Sequence, residues 1–124
     1  MKKIEATIQI NKVDVVATAI RDIVDGFTII EGSGRGSGKR QILRSGRGTG
    51  TVVSDYNKVS VISTIVKDSE VEKISEIILN AAFTGENGDG IIAVSNIESV
   101  LNITTKKKTS ESIWLKNRKL KNLK

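Results

Sequence analysis

The sequence contains no cysteine, no histidine and no proline among its 124 residues. Without cysteine the chain forms no disulfide and offers no thiolate nucleophile. The nitrogen and sulfur ligands typical of zinc and copper sites are absent, and so is the side chain that most often acts as a general base near neutral pH. These absences favour a protein that binds over an enzyme, and we predict no catalytic residue and no metal site.

Aromatic residues are also scarce, with only four in the chain: Phe27, Tyr56, Phe83 and Trp114. Nucleic-acid platforms stack bases on several aromatic rings, so this composition argues against one. Two Arg-Gly steps, at Arg35-Gly36 and Arg47-Gly48, are typical of RNA-binding segments but have no aromatic residues between them. Association with nucleic acid therefore stays a minor alternative, and we predict no nucleic-acid partner.

The net charge of +6 is distributed unevenly along the chain. Residues 105–124 hold eight basic residues and one acid, and residues 32–51 hold five basic residues and no acid. Since the whole chain carries +6, the remaining residues carry a net charge of −6. The basic segments suit an acidic partner, and the alternative is solvated charge on flexible segments. No apolar run approaches the roughly 18 residues of a membrane span, and we expect a cytoplasmic protein.

Hydrophobic periodicity predicts seven regular elements. Ile4, Ala6, Ile8 and Ile10 alternate with polar residues as in a strand with one buried face. The full order is a strand over 4–10, a helix over 13–24, a strand over 27–30, one strand signal over 51–66 that is strongest at 59–66, a helix over 71–81 and short strands over 91–94 and 100–103. We expect Asn11 to cap the first helix, and Asp68 or Ser69 to cap the second. This order predicts an α+β, ferredoxin-like βαββαβ fold, with an antiparallel sheet, two helices on one face, a long loop and a small extra strand.

Seven of the eleven glycines lie between Gly32 and Gly50, in a stretch with no apolar period. We predict a long mobile loop, and loops of this length are usually functional. Standard phosphate-binding motifs do not fit, because Ser33 stands where a P-loop requires glycine and Arg40 stands where it requires serine or threonine. Two interpretations remain open, which are a flexible cationic surface loop and a loop that orders on an acidic partner or a phosphate.

A second glycine loop, Thr84-Gly85-Glu86-Asn87-Gly88-Asp89-Gly90, follows the second predicted helix. This loop, the preceding residues Ala81–Phe83 and the opening Met1–Ile4 resemble the corresponding segments of the PII signal-transduction proteins. The resemblance covers about residues 1–105. It implies a homotrimer of ferredoxin-like subunits, with a domain over 1–104, a T-loop over 32–56, a B-loop over 84–90 and a basic tail over 105–124.

The resemblance also implies a function. PII proteins bind an adenine nucleotide in each cleft between subunits, and the T-loop then docks on a transporter, an enzyme of nitrogen or carbon metabolism, or another regulator. We therefore expect ATP, ADP or AMP as a possible ligand and no required cofactor. We also expect a protein partner, and a membrane transporter is one of the possible partners. The ligand-binding residues carried over from the family are Thr28, Gly34, Arg35, Gly36, Thr84, Gly85, Gly88, Asp89 and Gly90. The basic residues expected to meet the partner are Lys39, Arg40, Arg44 and Arg47.

The sequence departs from the family at its phosphate-binding cations. Ile91 stands where the family usually has a lysine, and Asn102 and Thr104 stand where it has arginines. A charge-assisted contact to phosphate contributes roughly 1.5–3 kcal/mol, so the affinity for a nucleotide is expected to fall. Arg35, Lys39 or Arg40 are possible substitutes. The alternative is a protein-interaction module of the same fold that no longer binds a nucleotide.

Overall fold

A computed structural model describes residues 1–36, 42–44 and 51–109 of the chain. In chain order the elements are β1 (Lys2–Gln9), α1 (Val13–Ile20), β2 (Thr28–Gly34), β3 (Ile42–Arg44), β4 (Thr51–Val53), β5 (Asn57–Val66), α2 (Val71–Ala82), β6 (Gly90–Asn96), β7 (Val100–Leu101) and β8 (Lys108–Thr109). Arg44 of the predicted partner-binding set lies in β3, whereas Lys39, Arg40 and Arg47 lie outside the described residues, as does the tail from residue 110 onward.

The four longer strands form one antiparallel sheet in the order β2-β5-β1-β6. In β1, Ile4 lies opposite Thr64 of β5 and Val94 of β6, which fixes the register of the central strands. This strand order, with a helix after β1 and another after β5, is the ferredoxin-like arrangement. The predicted α+β fold and its antiparallel sheet are therefore confirmed.

The hydrophobic core lies between one face of the sheet and the two helices. Alternate residues of β1, namely Ile4, Ala6 and Ile8, are buried on this face. Facing them from the helices and from β5 are Val16, Ile20, Ile62, Val66, Ile74, Ile78 and Ala82. Each fully buried isoleucine or valine stabilises the fold by roughly 1.5–3 kcal/mol relative to an exposed side chain. The period-2 pattern of β1 and the helical spacing of α1 and α2 thus produce one shared core.

In the part of the chain that the structure describes, no helix lies over the opposite face of the sheet. Direct strand pairing places Ile91 of β6, Thr7 of β1, Val61 of β5 and Ile30 of β2 in one row across this open face. The two end residues of the row, Ile91 and Ile30, are 68% and 61% exposed. Three of the four residues are apolar, and an exposed, mostly apolar row of this kind often marks an interaction surface. Among the described residues, no helix is long and apolar enough to cross a bilayer.

Both helices begin at the predicted residues, Val13 and Val71, but without the predicted caps. The expected side-chain caps from Asn11 and from Asp68 or Ser69 are absent, because a 3-10 turn precedes each helix, over Ile10–Lys12 and Asp68–Glu70. Carbonyl groups of such a turn accept bonds from N–H groups that a side-chain cap would otherwise satisfy. The carboxylate of Asp68 instead pairs with the N-terminal ammonium of Met1 at 3.0 Å.

The prediction of an unstructured stretch from Gly32 to Gly50 was wrong in part. Strand β2 continues to Gly34, and β3 pairs with β4 in a separate two-stranded antiparallel sheet. Ile42 and Leu43 are the two apolar residues of the stretch and lie opposite Val53 and Val52. Two apolar residues are too few to show a period in the sequence, and for this reason β3 was not predicted. Its pairing depends on β4, which lies beyond the glycines.

The fully buried hydroxyl oxygen of Ser60 has no hydrogen-bond partner within the part of the chain that the structure describes. Because an unsatisfied buried polar atom costs about 1–3 kcal/mol, Ser60→Ala is expected to leave the free energy of unfolding unchanged or raise it by about 1 kcal/mol. The matched variant Ile62→Ala removes a buried side chain from the same strand and is expected to lower it by about 2–5 kcal/mol. Urea denaturation measures both, and a loss above about 2 kcal/mol for Ser60→Ala would contradict this account.

Candidate functional site

The loop between α2 and β6 is closed by the carboxylate of Asp89. The backbone N–H groups of Thr84 and Gly85 donate to Asp89 Oδ2 at 2.8 and 3.0 Å. The Thr84 hydroxyl donates to Asp89 Oδ1 and accepts from the N–H of Glu86 at 3.2 Å. Both oxygens of Asp89 are therefore engaged within the loop, so this residue shapes the loop.

Glycine is required at three positions of the same loop. Gly85, Gly88 and Gly90 have φ angles of +88°, +100° and +114°, which L side chains rarely adopt. At Gly90 a Cβ atom would lie 1.9 Å from the carbonyl oxygen of Thr7, so the backbone of β6 approaches β1 too closely for any side chain. The spacing of these glycines sets the path by which the chain leaves α2 and enters the sheet.

The end of β1 holds the loop from the other side. The side-chain amide of Gln9 donates from Nε2 to the carbonyl oxygen of Gly88 at 3.1 Å. This residue was missed by sequence reasoning, because Gln9 stands out only as one polar residue of an alternating strand. A contact between positions 79 residues apart leaves no local signal, and only the register of β1 against β6 brings the two together.

The hydrogen bonds in the loop affect the ionisation of Asp89. The Thr84 hydroxyl, followed by the backbone N–H of Thr84, favours the charged carboxylate and lowers the pKa of Asp89. The N–H of Gly85 and the positive charge of Lys12 act in the same direction, and partial desolvation opposes them. The loop is therefore built around an ionised aspartate at neutral pH.

The sequence-predicted residues fall into separate places. Loop 84–90 and the base of the long loop, Gly34 to Gly36, lie at the same end of the sheet, because β2 ends where β6 and β5 begin. They lie at opposite edges, however, with β5 and β1 between them, which is about 14 Å at ordinary strand spacing. Arg35 is exposed at this end. Thr28 lies at the other end of β2, opposite Ser63 of β5.

Thr28 lines a shallow cavity of about 220 Å³ beside the β2 edge of the sheet. The residues around it are Lys3, Phe27, Thr28, Ser63, Thr64 and Ile65. The Thr64 hydroxyl donates to the carbonyl of Gly26 at 2.6 Å and fixes the turn that leads into β2. Pockets for small molecules usually measure about 300–1,000 Å³, so this cavity is suited to part of a ligand only.

The structure accounts for the departures at the family's cation positions. Ile91 is exposed in the apolar row of the open face. Asn102 is 6% exposed, and its side-chain oxygen accepts from the N–H groups of Thr104 and Thr105 at 2.9 and 3.1 Å. The predicted strand over 100–103 therefore ends at Leu101, and Asn102 stabilises a turn between β7 and β8. The Asn102 side-chain oxygen is thus already engaged within this turn.

Substitution of Gly90 tests the close approach of β6 to β1. Gly90→Ala is expected to lower the free energy of unfolding by about 2 kcal/mol or more, because the new Cβ meets a backbone oxygen at a strained φ. Gly32→Ala is the matched control, since its Cβ meets no atom within 4 Å, and we expect a change within about 0.5 kcal/mol. Equal losses in urea denaturation would contradict this interpretation.

The lowered pKa of Asp89 predicts how the loop responds to acid. A group whose pKa is lower in the folded state adds stability above its unfolded pKa of about 3.9, and loses it as the pH falls through the folded value. The amide resonances of Thr84 and Gly85 should therefore titrate together with a midpoint below about 4. In Asp89→Asn this titration should vanish, and its persistence there would assign it to another group.

Comparisons with known proteins agree with this geometry. The family profile described as "Nitrogen regulatory protein P-II" matches residues 1–107. A nitrogen regulatory protein P-II of Pyropia yezoensis is 42% identical over 106 residues, which cover 85% of this chain and 93% of that protein. Its counterpart in Rhizobium meliloti (strain 1021) is 42% identical over 108 residues, with the same two coverages.

The likeness extends over the full length of some relatives. The nitrogen regulatory protein P-II of Azospirillum brasilense is 40% identical over 116 residues, which cover 91% of this chain and 100% of that protein. The matched region includes loop 84–90 and all four strands of the main sheet. Fold, loop and sequence identity lead to one conclusion, which is that the chain belongs to the nitrogen regulatory protein P-II family.

Proposed function

We propose that the protein is a homotrimeric regulator that binds an adenine nucleotide, or a related small ligand, in clefts between its subunits. The state of the ligand sets the conformation of the T-loop, residues 32–56, and this loop docks on a partner protein. The partner is a transporter or an enzyme of nitrogen or carbon metabolism. Such a protein senses and binds, and catalysis is not part of its role.

The preformed loop 84–90 is the observation that carries the proposal. Its conformation is fixed by the Asp89 carboxylate and by glycines with positive φ, while Thr84 to Gly88 remain exposed. A rigid, exposed glycine loop admits a ligand close to its backbone and loses little conformational entropy on binding. Such a loop is more strongly constrained than a simple turn between a helix and a strand requires.

The open face of the sheet supports an oligomer. The exposed side chains of Ile30 and Ile91 are apolar, and neighbouring copies would remove them from water. An inter-subunit site also explains why the candidate ligand residues are split. The cavity beside Thr28 lies at the β2 edge and loop 84–90 lies at the β6 edge, so the adjacent edges of two copies would complete one cleft.

The T-loop is attached where a bound ligand would affect it. The chain leaves the sheet after Gly34 of β2 and re-enters it at Asn57 of β5; these residues lie directly opposite each other, at the end of the sheet that carries loop 84–90. A ligand that contacts this end with different affinity in two loop conformations shifts the population between them. The basic residues Lys39, Arg40, Arg44 and Arg47 would present positive charge to an acidic surface of the partner.

A second candidate function is an interaction module that has lost nucleotide binding. Ile91, Asn102 and Thr104 favour it, because none of them supplies the positive charge that the family uses for phosphate. In this case loop 84–90 is an inherited turn, and the T-loop acts without a ligand. The two candidates predict the same fold and oligomer but a different response to nucleotides.

Calorimetric titration with ATP, ADP and AMP tests the proposal on a trimer verified by light scattering. We expect binding by at least one nucleotide, and a loss of about tenfold or more in Asp89→Ala and Thr84→Ala, because the loop would lose its closing hydrogen bonds. Glu72→Ala, an exposed carboxylate in the first turn of α2, is the matched control and should bind normally. An intact trimer that binds none of the ligands would contradict nucleotide sensing.

Limited proteolysis separates the two candidates. Trypsin cleaves after the lysines and arginines of the T-loop, which lie at positions 35, 39, 40, 44 and 47. A sensor should show a change in cleavage rate at these sites when the bound nucleotide is added, while cleavage within the tail serves as the internal control. An interaction module should show the same T-loop cleavage with and without nucleotide.

A further inference from the structure

The region around loop 84–90 lacks positive charge in its own sequence. Residues 74–105, which span most of α2, the loop, β6 and β7, contain no lysine and no arginine. They contain four acids: Glu76, Glu86, Asp89 and Glu98. A phosphate that approached this loop would meet the carboxylates of Glu86 and Asp89 without a compensating charge from residues 74–105, so a cation from another element would be needed.

The end of β1 is the neighbouring element that can supply it. Gln9 is tied to Gly88 by its hydrogen bond of 3.1 Å, and the backbone at Gly90 packs directly on Thr7. The 3-10 turn Ile10–Lys12 follows directly after Gln9, so the turn starts next to the residue that is hydrogen-bonded to the loop. Lys12 closes this turn and is half-buried. The charge of Lys12 also acts on Asp89 and helps to lower the pKa of that carboxyl.

Other cations of the described ranges are placed less well. Lys2 and Lys3 lie at the opposite end of β1, and Lys3 is paired with Glu5 at 2.6 Å. Arg35 and Lys58 are exposed near the ends of β2 and β5, on the far side of β1 from the loop. Lys12 is therefore the described cation that follows directly on the end of β1 that holds the loop.

We propose that Lys12 contacts the anionic group of the ligand at loop 84–90, and that Gln9 positions the loop beside it. The inference rests on the proposed function and names its charge-recognising residue. The ligand class is one that carries phosphate. Lys12 would supply positive charge that Ile91, Asn102 and Thr104 do not provide.

Three variants and three probes test the inference. Lys12→Gln removes the charge, Lys12→Arg keeps it, and Lys73→Gln removes a charge from the first turn of α2, about 16 Å along the helix from Thr84. The probes are ATP, inorganic tripolyphosphate and adenosine, each followed by calorimetry and by the amide resonances of Gly85 to Gly90. The wild-type protein is measured with all three as the reference.

We expect Lys12→Gln to weaken ATP and tripolyphosphate by about tenfold and to leave adenosine within about twofold. Lys12→Arg should retain most of the affinity, and Lys73→Gln should match the wild-type protein. The effect of Lys12→Gln should shrink in 0.5 M salt, because screening weakens the charge contact. A purely structural role would weaken adenosine equally and would not depend on salt.

The outcomes separate this inference from the proposed function. Wild-type protein that binds tripolyphosphate at the loop through Lys12, but shows no preference for ATP, would support the inference and contradict adenine recognition. ATP binding unchanged by Lys12→Gln would overturn the inference and leave the proposed function intact. Equal weakening of all three probes by Lys12→Gln would also overturn the inference. If none of the three probes binds the wild-type protein, both the inference and the proposed function are overturned.

Discussion

The carboxylate of Asp89 is the constraint on which the candidate site depends. It accepts hydrogen bonds from the N–H groups of Thr84 and Gly85, just after α2. These bonds hold the chain in a turn that three glycines with positive φ make possible. The turn then places Gly90 against the backbone of β1, where no side chain fits. One ionised side chain thus couples the end of a helix to the register of an edge strand, and the proposed ligand site depends on that coupling.

The same geometry links the site to the rest of the sheet. β1 contributes its buried face to the core and its end to the loop, through Gln9, and the turn that carries Lys12 follows directly. The ends of the T-loop leave the sheet at the same end as this loop. A ligand held there would lie at the end of the sheet from which the T-loop extends, and the rigid sheet keeps that relation constant.

Much of the fold could be predicted from the sequence, because its signals are local. The alternation at Ile4, Ala6 and Ile8 and the helical spacing of Ile74 and Ile78 correspond directly to the buried face. The glycine loop was recognisable from its motif, although its internal hydrogen bonds were not. The side-chain caps of both helices were predicted wrongly, because 3-10 turns that continue into a helix need no capping side chain.

The rest depended on contacts between distant parts of the chain. Ile42 and Leu43 form a strand only because Val52 and Val53 lie opposite, across a stretch rich in glycine. Gln9 reaches loop 84–90 through strand register, which alternation alone does not specify, and Lys12 lies in the turn that follows it. The separation of Thr28 from loop 84–90 within one chain also follows from strand order, because β2 and β6 are opposite edge strands. This separation is the reason for proposing a site between subunits.

A crystal structure of the protein grown with ATP tests the central claim most directly. The account predicts a trimer whose open sheet faces are covered, with the nucleotide between loop 84–90 of one subunit and the Thr28 cavity of another. A nucleotide bound elsewhere, or a trimer whose clefts stay empty at saturating ATP, would contradict it.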